Sequence, residues 1–98
     1  MTAGIAARLA RCHIQLVSEA KAHFLFTRDE CIALVERTGD GFGSIGSTGL
    51  MTQSGLTYLV WREGRALLVG KGGETAAEPA QVEAIRRFSE DLKAALGC

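Results

Sequence analysis

Short apolar runs alternate with glycine-containing turns between residues 50 and 69, and this alternation restricts the fold more than any other feature of the sequence. The apolar runs occupy residues 50–51, 56–61 and 66–69, and the turns between them occupy residues 53–55 and 62–64. Runs this short, bounded by turn residues, are typical of antiparallel strands that follow one another along the chain. The segment therefore predicts a β-meander.

The strand predicted over residues 56–61 is apolar on both sides. Because side chains alternate along a strand, one face carries every second residue from Leu56 and the other every second residue from Thr57. Neither set is polar throughout. We therefore expect both faces of this strand to be covered, with Trp61 in the core.

Amphipathic helices are predicted at both ends of the meander. From residue 2 to about residue 20, apolar side chains recur every three or four positions, at Ile5, Leu9, Cys12, Leu16 and Ala20. A second stripe begins after Pro79, which suits a first helical turn, and ends before Gly97, a typical stop signal. The members of this second stripe are Val82, Ile85, Phe88, Leu92 and Leu96.

Residues 22–37 allow two interpretations. They could form two strands around a polar turn at residues 28–29, or a short strand followed by a helix capped at Thr27, with Glu30 completing a capping box. We favour the hairpin because Phe, Ile and Val are dense here and favour strands. The chain is then a single α+β domain over residues 1–98. It is an antiparallel β-meander of about five strands flanked by an N-terminal and a C-terminal helix, in the order α-β-β-β-β-β-α.

Glycine is concentrated between residues 38 and 49, which predicts a loop that leads into a bulged strand. Residues 41–46 also match the pattern G-x-G-x-x-G, in which glycines let a backbone approach a pyrophosphate at the start of a helix. No helix-forming segment follows here, so a structural bulge is the favoured interpretation. If the loop binds a phosphate-bearing ligand, its candidate residues are Gly41, Gly43, Ser44 and Gly46.

An aromatic and basic cluster near the second turn offers a candidate surface for single-stranded nucleic acid, through base stacking and phosphate contacts. Its residues are Tyr58, Trp61, Arg62, Arg65 and Lys71. Over residues 45–96, the layout of strands followed by a helix also resembles that of the single-stranded-DNA-binding transcriptional cofactors, in which the helix forms a dimer. The balance of eleven basic and eleven acidic side chains counts against this partner.

The sequence contains no constellation typical of an enzyme. The two histidines, His13 and His23, lack nearby metal ligands or a nucleophile, and the three cysteines have neither disulfide nor metal spacing. We therefore expect no cofactor and no bound metal. The cysteine usage, with no leader-like start and no long apolar run, predicts a cytoplasmic protein without a membrane partner.

Size, charge and the lack of a catalytic pattern favour a small non-enzymatic binding or assembly module. We expect it to self-associate, because a chain of 98 residues gains stability from dimerisation. The expected partner is a second copy or another protein. Binding of single-stranded nucleic acid is the alternative function, and an enzyme that uses the glycine loop for a phosphate-bearing ligand is the third.

Overall fold

A computed structural model describes residues 3–20, 22–39, 41–53 and 55–97 of the chain. Within these ranges the fold consists of two helices and seven strands. The helices are α1 (Ala3–Arg11) and α2 (Pro79–Leu96), and the strands are β1 (Gln15–Glu19), β2 (His23–Arg28), β3 (Cys31–Thr38), β4 (Gly41–Thr52), β5 (Gly55–Arg62), β6 (Arg65–Gly70) and β7 (Gly73–Ala76).

The seven strands form one antiparallel sheet in the order of the sequence, from β1 to β7. Each strand pairs with the strands before and after it, so the sheet is a meander throughout. The α+β class, the antiparallel meander and the two flanking helices are confirmed. The number of strands is seven, and the prediction of about five was wrong because β1 and β7 were missed.

β1 lies in a segment predicted to be the second half of the N-terminal helix. That helix ends at Arg11, and His13 then adopts a left-handed backbone conformation (φ 60°) from which the chain enters β1. In β1, Leu16 stands opposite Phe26 of β2 and packs against the core. Leu16 would also face the core in a longer helix, so helical periodicity could not distinguish a strand here. The predicted extension of the helix to about residue 20 is wrong.

β7 lies in a segment predicted to be a connection between the sheet and α2. Its sequence, Gly-Glu-Thr-Ala, has no apolar alternation, and all of its residues are exposed. The strand forms because a turn at residues 70–73 returns the chain beside β6, where Thr75 stands opposite Leu68. Just beyond β7, the N–H of Ala77 donates to the carbonyl of Ala66 (2.9 Å). Backbone pairing with β6 therefore defines β7, and backbone pairing leaves little pattern in the sequence.

The hairpin interpretation of residues 22–37 is confirmed. β2 and β3 pair along their whole length, from His23 opposite Glu36 to Arg28 opposite Cys31. Asp29 takes the left-handed conformation (φ 54°) that the tight turn requires. The alternative helix capped at Thr27 is absent, and the Thr27 hydroxyl instead donates to the carbonyl of Cys31 (2.8 Å).

Both helices pack on one side of the sheet, here called the helix-covered face. Phe42 of β4 packs there with its ring centroid 4.7 Å from that of Phe24 and 5.6 Å from that of Phe26. Burial of apolar surface is the main term that stabilises a fold of this kind. The buried residues of this cluster are Leu9, Ile14, Phe24, Phe26, Cys31, Ala33, Val35, Leu50, Leu68, Ile85, Phe88, Leu92, Ala95 and Leu96.

α2 begins and ends where the sequence predicts. Pro79 occupies its first turn, and Oε1 of Gln81 accepts a hydrogen bond from the N–H of Glu78 (2.8 Å). Gly97 follows the last turn in the left-handed conformation (φ 78°), which glycine adopts without strain.

Arg28, at the end of β2, connects the sheet to both helices. Its Nη1 donates to Oδ2 of Asp91 on α2 (2.7 Å) and to the carbonyl of Cys12 just after α1 (3.2 Å). Its guanidinium carbon also lies 5.5 Å from the ring centroid of Phe88. These contacts fix α2 across the end of the hairpin.

Candidate functional site

The side of the sheet away from the helices, here called the outer face, is built from the residues that alternate with those of the core. Directly opposed residues of paired strands lie on the same face. The register gives a first row that is continuous from β2 to β6 and two further rows, two and four residues along the strands, that are interrupted at β4 because its pairing with β5 ends at Gly49 and Tyr58. On the other side of the first row, Met51 lies opposite Leu56. The first row is Thr27, Ile32, Gly49, Tyr58 and Val69; the second is Leu25, Leu34, Val60 and Leu67; the third is His23, Glu36, Arg62 and Arg65.

The first two rows form an apolar band, defined as Leu25, Ile32, Leu34, Tyr58, Val60, Leu67 and Val69. Neither α1 nor α2 packs on this band, because the helical residues of the core contact the opposite face. All the side chains of the band except Ile32 are half-buried, as expected where neighbours on a sheet shield one another. The band is thus a wide apolar surface with no helix over it.

Gly49 lies at the centre of the band, between Ile32 on β3 and Tyr58 on β5. No side chain separates these two residues, and Ile32 is only 1% exposed although it lies outside the core cluster. An ideal Cβ on Gly49 would lie 2.6 Å from the Cα of Tyr58 and would contact the carbonyl oxygen of Thr57 even more closely. Glycine is therefore required where β4 and β5 approach each other.

The third row, here called the charged row, closes one end of the apolar band. It places His23 and Glu36 on the β2–β3 side and Arg62 and Arg65 on the β5–β6 side, and all four side chains are exposed. Arg62 pairs with Glu74 of β7, with Nη1 and Oε1 2.6 Å apart. Among the residues that the structure describes, Glu36 and Arg65 take part in no ion pair. At this end of the outer face, acidic Glu36 thus lies on the β2–β3 side and basic Arg62 and Arg65 lie on the β5–β6 side.

The residues proposed as a ligand loop lie in a strand. Gly41, Gly43, Ser44 and Gly46 belong to β4, so the predicted loop over residues 38–49 is wrong beyond the turn at Gly39. The bulges that glycine content predicts are present, because the β3–β4 register shifts on either side of Val35. No helix follows Gly46, so the phosphate geometry of the G-x-G-x-x-G pattern does not form.

The residues proposed as a nucleic-acid face do not share one surface. Tyr58, Arg62 and Arg65 lie on the outer face, whereas Trp61 registers with Ala66 on the helix-covered side of β5. Lys71 lies in the turn at the other end of β6. Trp61 is 61% exposed, so its expected place in the core is wrong. The alternation predicted along this strand is confirmed, but it separates the two aromatic rings.

A groove of about 500 Å³ lies between the β2–β3 turn and the first half of α2. It is lined by Cys31 and Leu50 on the sheet side and by Ala80 and Ala84 on the helix. Burial raises the pKa of the Cys31 thiol, and the nearby Arg28 only partly offsets this rise. A raised thiol pKa disfavours the nucleophilic thiolate.

In residues 3–20, 22–39, 41–53 and 55–97, no group of three or more His, Cys, Asp and Glu side chains could hold a metal ion. No helix of this described part is long and apolar enough to cross a membrane.

Comparisons with protein-family models, with curated proteins and with solved structures give no significant match. The resemblance of layout to the single-stranded-DNA-binding transcriptional cofactors therefore gains no support from these comparisons.

Sequence reasoning found one strand of the outer face but not the face as a whole. The alternation over residues 56–61 shows that β5 is apolar on both sides. The contribution of Leu25 and Leu34 could have been inferred from the same alternation in the hairpin. What places them on the same face as Val60 is the pairing of Gly49 with both Ile32 and Tyr58, which the sequence does not position.

Proposed function

We propose that this protein is a small assembly module that self-associates through the apolar band of its outer face. The observation that carries the proposal is the band itself, which spans β2 to β6 and has no helix packed on it. The largest apolar patch on the surface of a protein is often a functional site. Its burial against an apolar partner would release water and stabilise the complex.

The area of the outer face fits an association surface. Five strands spaced about 4.8 Å apart, with three rows about 7 Å apart, span roughly 500 Å² on each copy. Two such faces bury about 1,000 Å² in total, near the lower limit for specific interfaces. A pair of copies held in this way would form a reversible dimer.

A second copy is the partner that these features favour. The formal net charge is zero, so two copies do not repel each other over long range. A small domain with modest burial also gains most from an added layer on its uncovered face. Nucleic acid is a weaker candidate, because Tyr58 and Trp61 lie on opposite faces and Glu74 neutralises Arg62.

The test uses two neighbouring residues of β5 that lie on opposite faces. Val60→Lys places a charge in the apolar band, and we expect it to raise the dimer Kd at least tenfold, because the ammonium would have to be desolvated. Trp61→Lys is the matched control and should leave Kd unchanged. Sedimentation equilibrium from roughly 1 to 500 µM measures both, with circular dichroism to confirm the fold.

A wild-type protein that sediments as a monomer over the whole range would refute self-association. Equal dimer affinity for Val60→Lys and the wild type would instead show that the surface lies elsewhere. If Val60→Lys loses its fold, Val60→Thr keeps the β-branched shape and should weaken the dimer by a smaller factor.

A further inference from the structure

We infer that two copies pack outer face to outer face about a two-fold axis that runs parallel to the strands along β4, so that Glu36 of each copy meets Arg62 and Arg65 of the other. The inference rests on the proposed function and adds to it the orientation of the partner. It follows from the strand order, the three rows and the location of the charges.

The strand order makes β4 the centre of the sheet, with three strands on each side. A two-fold axis along the centre exchanges β3 with β5 and β2 with β6. Leu34 of one copy then faces Val60 of the other, and Leu25 faces Leu67. Apolar residues meet apolar residues over the whole band, in the aligned arrangement typical of packed sheets.

The two-fold axis also brings the acidic side of the charged row of one copy against the basic side of the charged row of the other. His23 and Glu36 stand on one side of the axis and Arg62 and Arg65 on the other, at one end of the strands. The axis therefore places Glu36 against the arginine pair twice, once in each half of the dimer. Glu36 and Arg65 have no ion pair among the described residues of their own chain, so this contact costs neither an existing partner.

An axis across the strands would give a poorer match. It would place each strand against its own copy, with the two ends exchanged. Arg62 at one end of β5 would then face the opposite end, where Leu56 lies beside Met51, which is 47% exposed. Burying an arginine against apolar side chains without a partner is unfavourable. The charges thus favour the axis parallel to the strands.

The centre of the face is also suited to close packing. Gly49 occupies the outer-face position of β4 in the first row, on the line of the axis. The space that a side chain would take there is filled by the backbone of Thr57 and Tyr58, so no β4 side chain stands above the face in this row. Across the axis, Tyr58 of the other copy faces Ile32.

The test exchanges charges between two variants. Glu36→Arg alone places arginines against arginines, and the double variant Arg62→Glu/Arg65→Glu places carboxylates against carboxylates, so each should raise the dimer Kd about tenfold. Mixed together, the two variants restore both contacts, and we expect a mixed dimer about tenfold tighter than either variant alone. One variant carries a fluorophore, and sedimentation with fluorescence detection measures the mixed dimer.

Glu90→Arg is the matched control, because it makes the same charge change on an exposed position of α2, on the other side of the sheet. It should leave Kd unchanged. If Val60→Lys abolishes the dimer but the charge variants neither weaken it nor bind each other, the proposed function stands and this orientation is overturned. Weakening by Glu90→Arg as large as that by Glu36→Arg would also overturn it. If Glu36→Arg does not fold, Glu36→Gln should still raise Kd roughly threefold.

Discussion

The two faces of the sheet are made by the same strands, yet they are buried in different ways. On the helix-covered face, Phe26 and Val35 are fully buried beneath helical side chains such as Phe88. On the outer face, Leu34 and Val60 are only half-buried and lie outside the cluster that the helices join. The difference indicates that the first face stabilises the monomer and that the second is available to a partner.

The largest expected effect comes from truncation on the helix-covered face. Phe88→Ala removes a side chain that is 0% exposed, and we expect it to lower the free energy of unfolding by about 3–5 kcal/mol. Val69→Ala on the outer face is the comparison and should cost less than about 1.5 kcal/mol in the monomer, because Val69 is only half-buried. Urea unfolding at a dilute concentration measures both. Equal losses would contradict the distinction between the faces.

The next effect concerns the close approach of β4 and β5. Gly49→Ala would drive a methyl group into the backbone of Thr57 and Tyr58, and we expect a loss of about 2–3 kcal/mol in the free energy of unfolding. Gly46→Ala is the control in the same strand, where the added Cβ would lie an ordinary 3.4 Å from the Leu34 carbonyl. Thermal unfolding compares the two. A fully stable Gly49→Ala would mean that the strands are further apart.

A smaller effect compares one ion pair from each face. Arg28 pairs with Asp91 where its side chain is only 19% exposed, whereas the Arg62 side chain is 55% exposed beside Glu74. Arg28→Ala also loses the hydrogen bond to Cys12 and the contact with Phe88, so we expect it to cost about 1–2 kcal/mol. Arg62→Ala should cost less than about 1 kcal/mol in the monomer. The reverse order in chemical denaturation would refute this assignment.

The last prediction concerns the reactivity of two cysteines rather than the stability of the fold. Cys31 is 6% exposed with a raised thiol pKa, whereas Cys12 is half-buried. We expect iodoacetamide to modify Cys31 at least roughly tenfold more slowly than Cys12, because both access and thiolate formation are disfavoured. Peptide mass spectrometry resolves the two sites. Comparable rates at neutral pH would show that the groove at α2 opens to solvent.

Local sequence patterns predict those elements whose apolar residues recur at a spacing typical of either a helix or a strand, but not of both. The stripe from Val82 to Leu96, closed by Pro79 and Gly97, predicts α2, and the β2–β3 hairpin follows from its content of strand-forming residues. β1 escapes prediction because Leu16 suits both periods, and β7 because its exposed residues show no apolar alternation.

The outer face depends on information that no single segment carries. It requires the register of β3 with β4 and of β4 with β5. Two bulges shift the β3–β4 register between Ala33 and Arg37. Trp61 lies on the helix-covered side of β5 and is nevertheless 61% exposed. Alternation along β5 predicts which face Trp61 lies on, but tertiary packing determines whether its side chain is buried.

The most direct measurement of the central claim is the solvent exposure of methyl groups on the outer face. Relaxation of the Leu34, Leu67 and Val69 methyl groups by a soluble gadolinium chelate can be compared between concentrated wild-type protein and Val60→Lys. We expect these methyl groups to be protected in the wild type and exposed in the variant, with Ile85 protected in both. Equal exposure of the outer-face methyl groups in an associated wild type and in the variant would contradict the account.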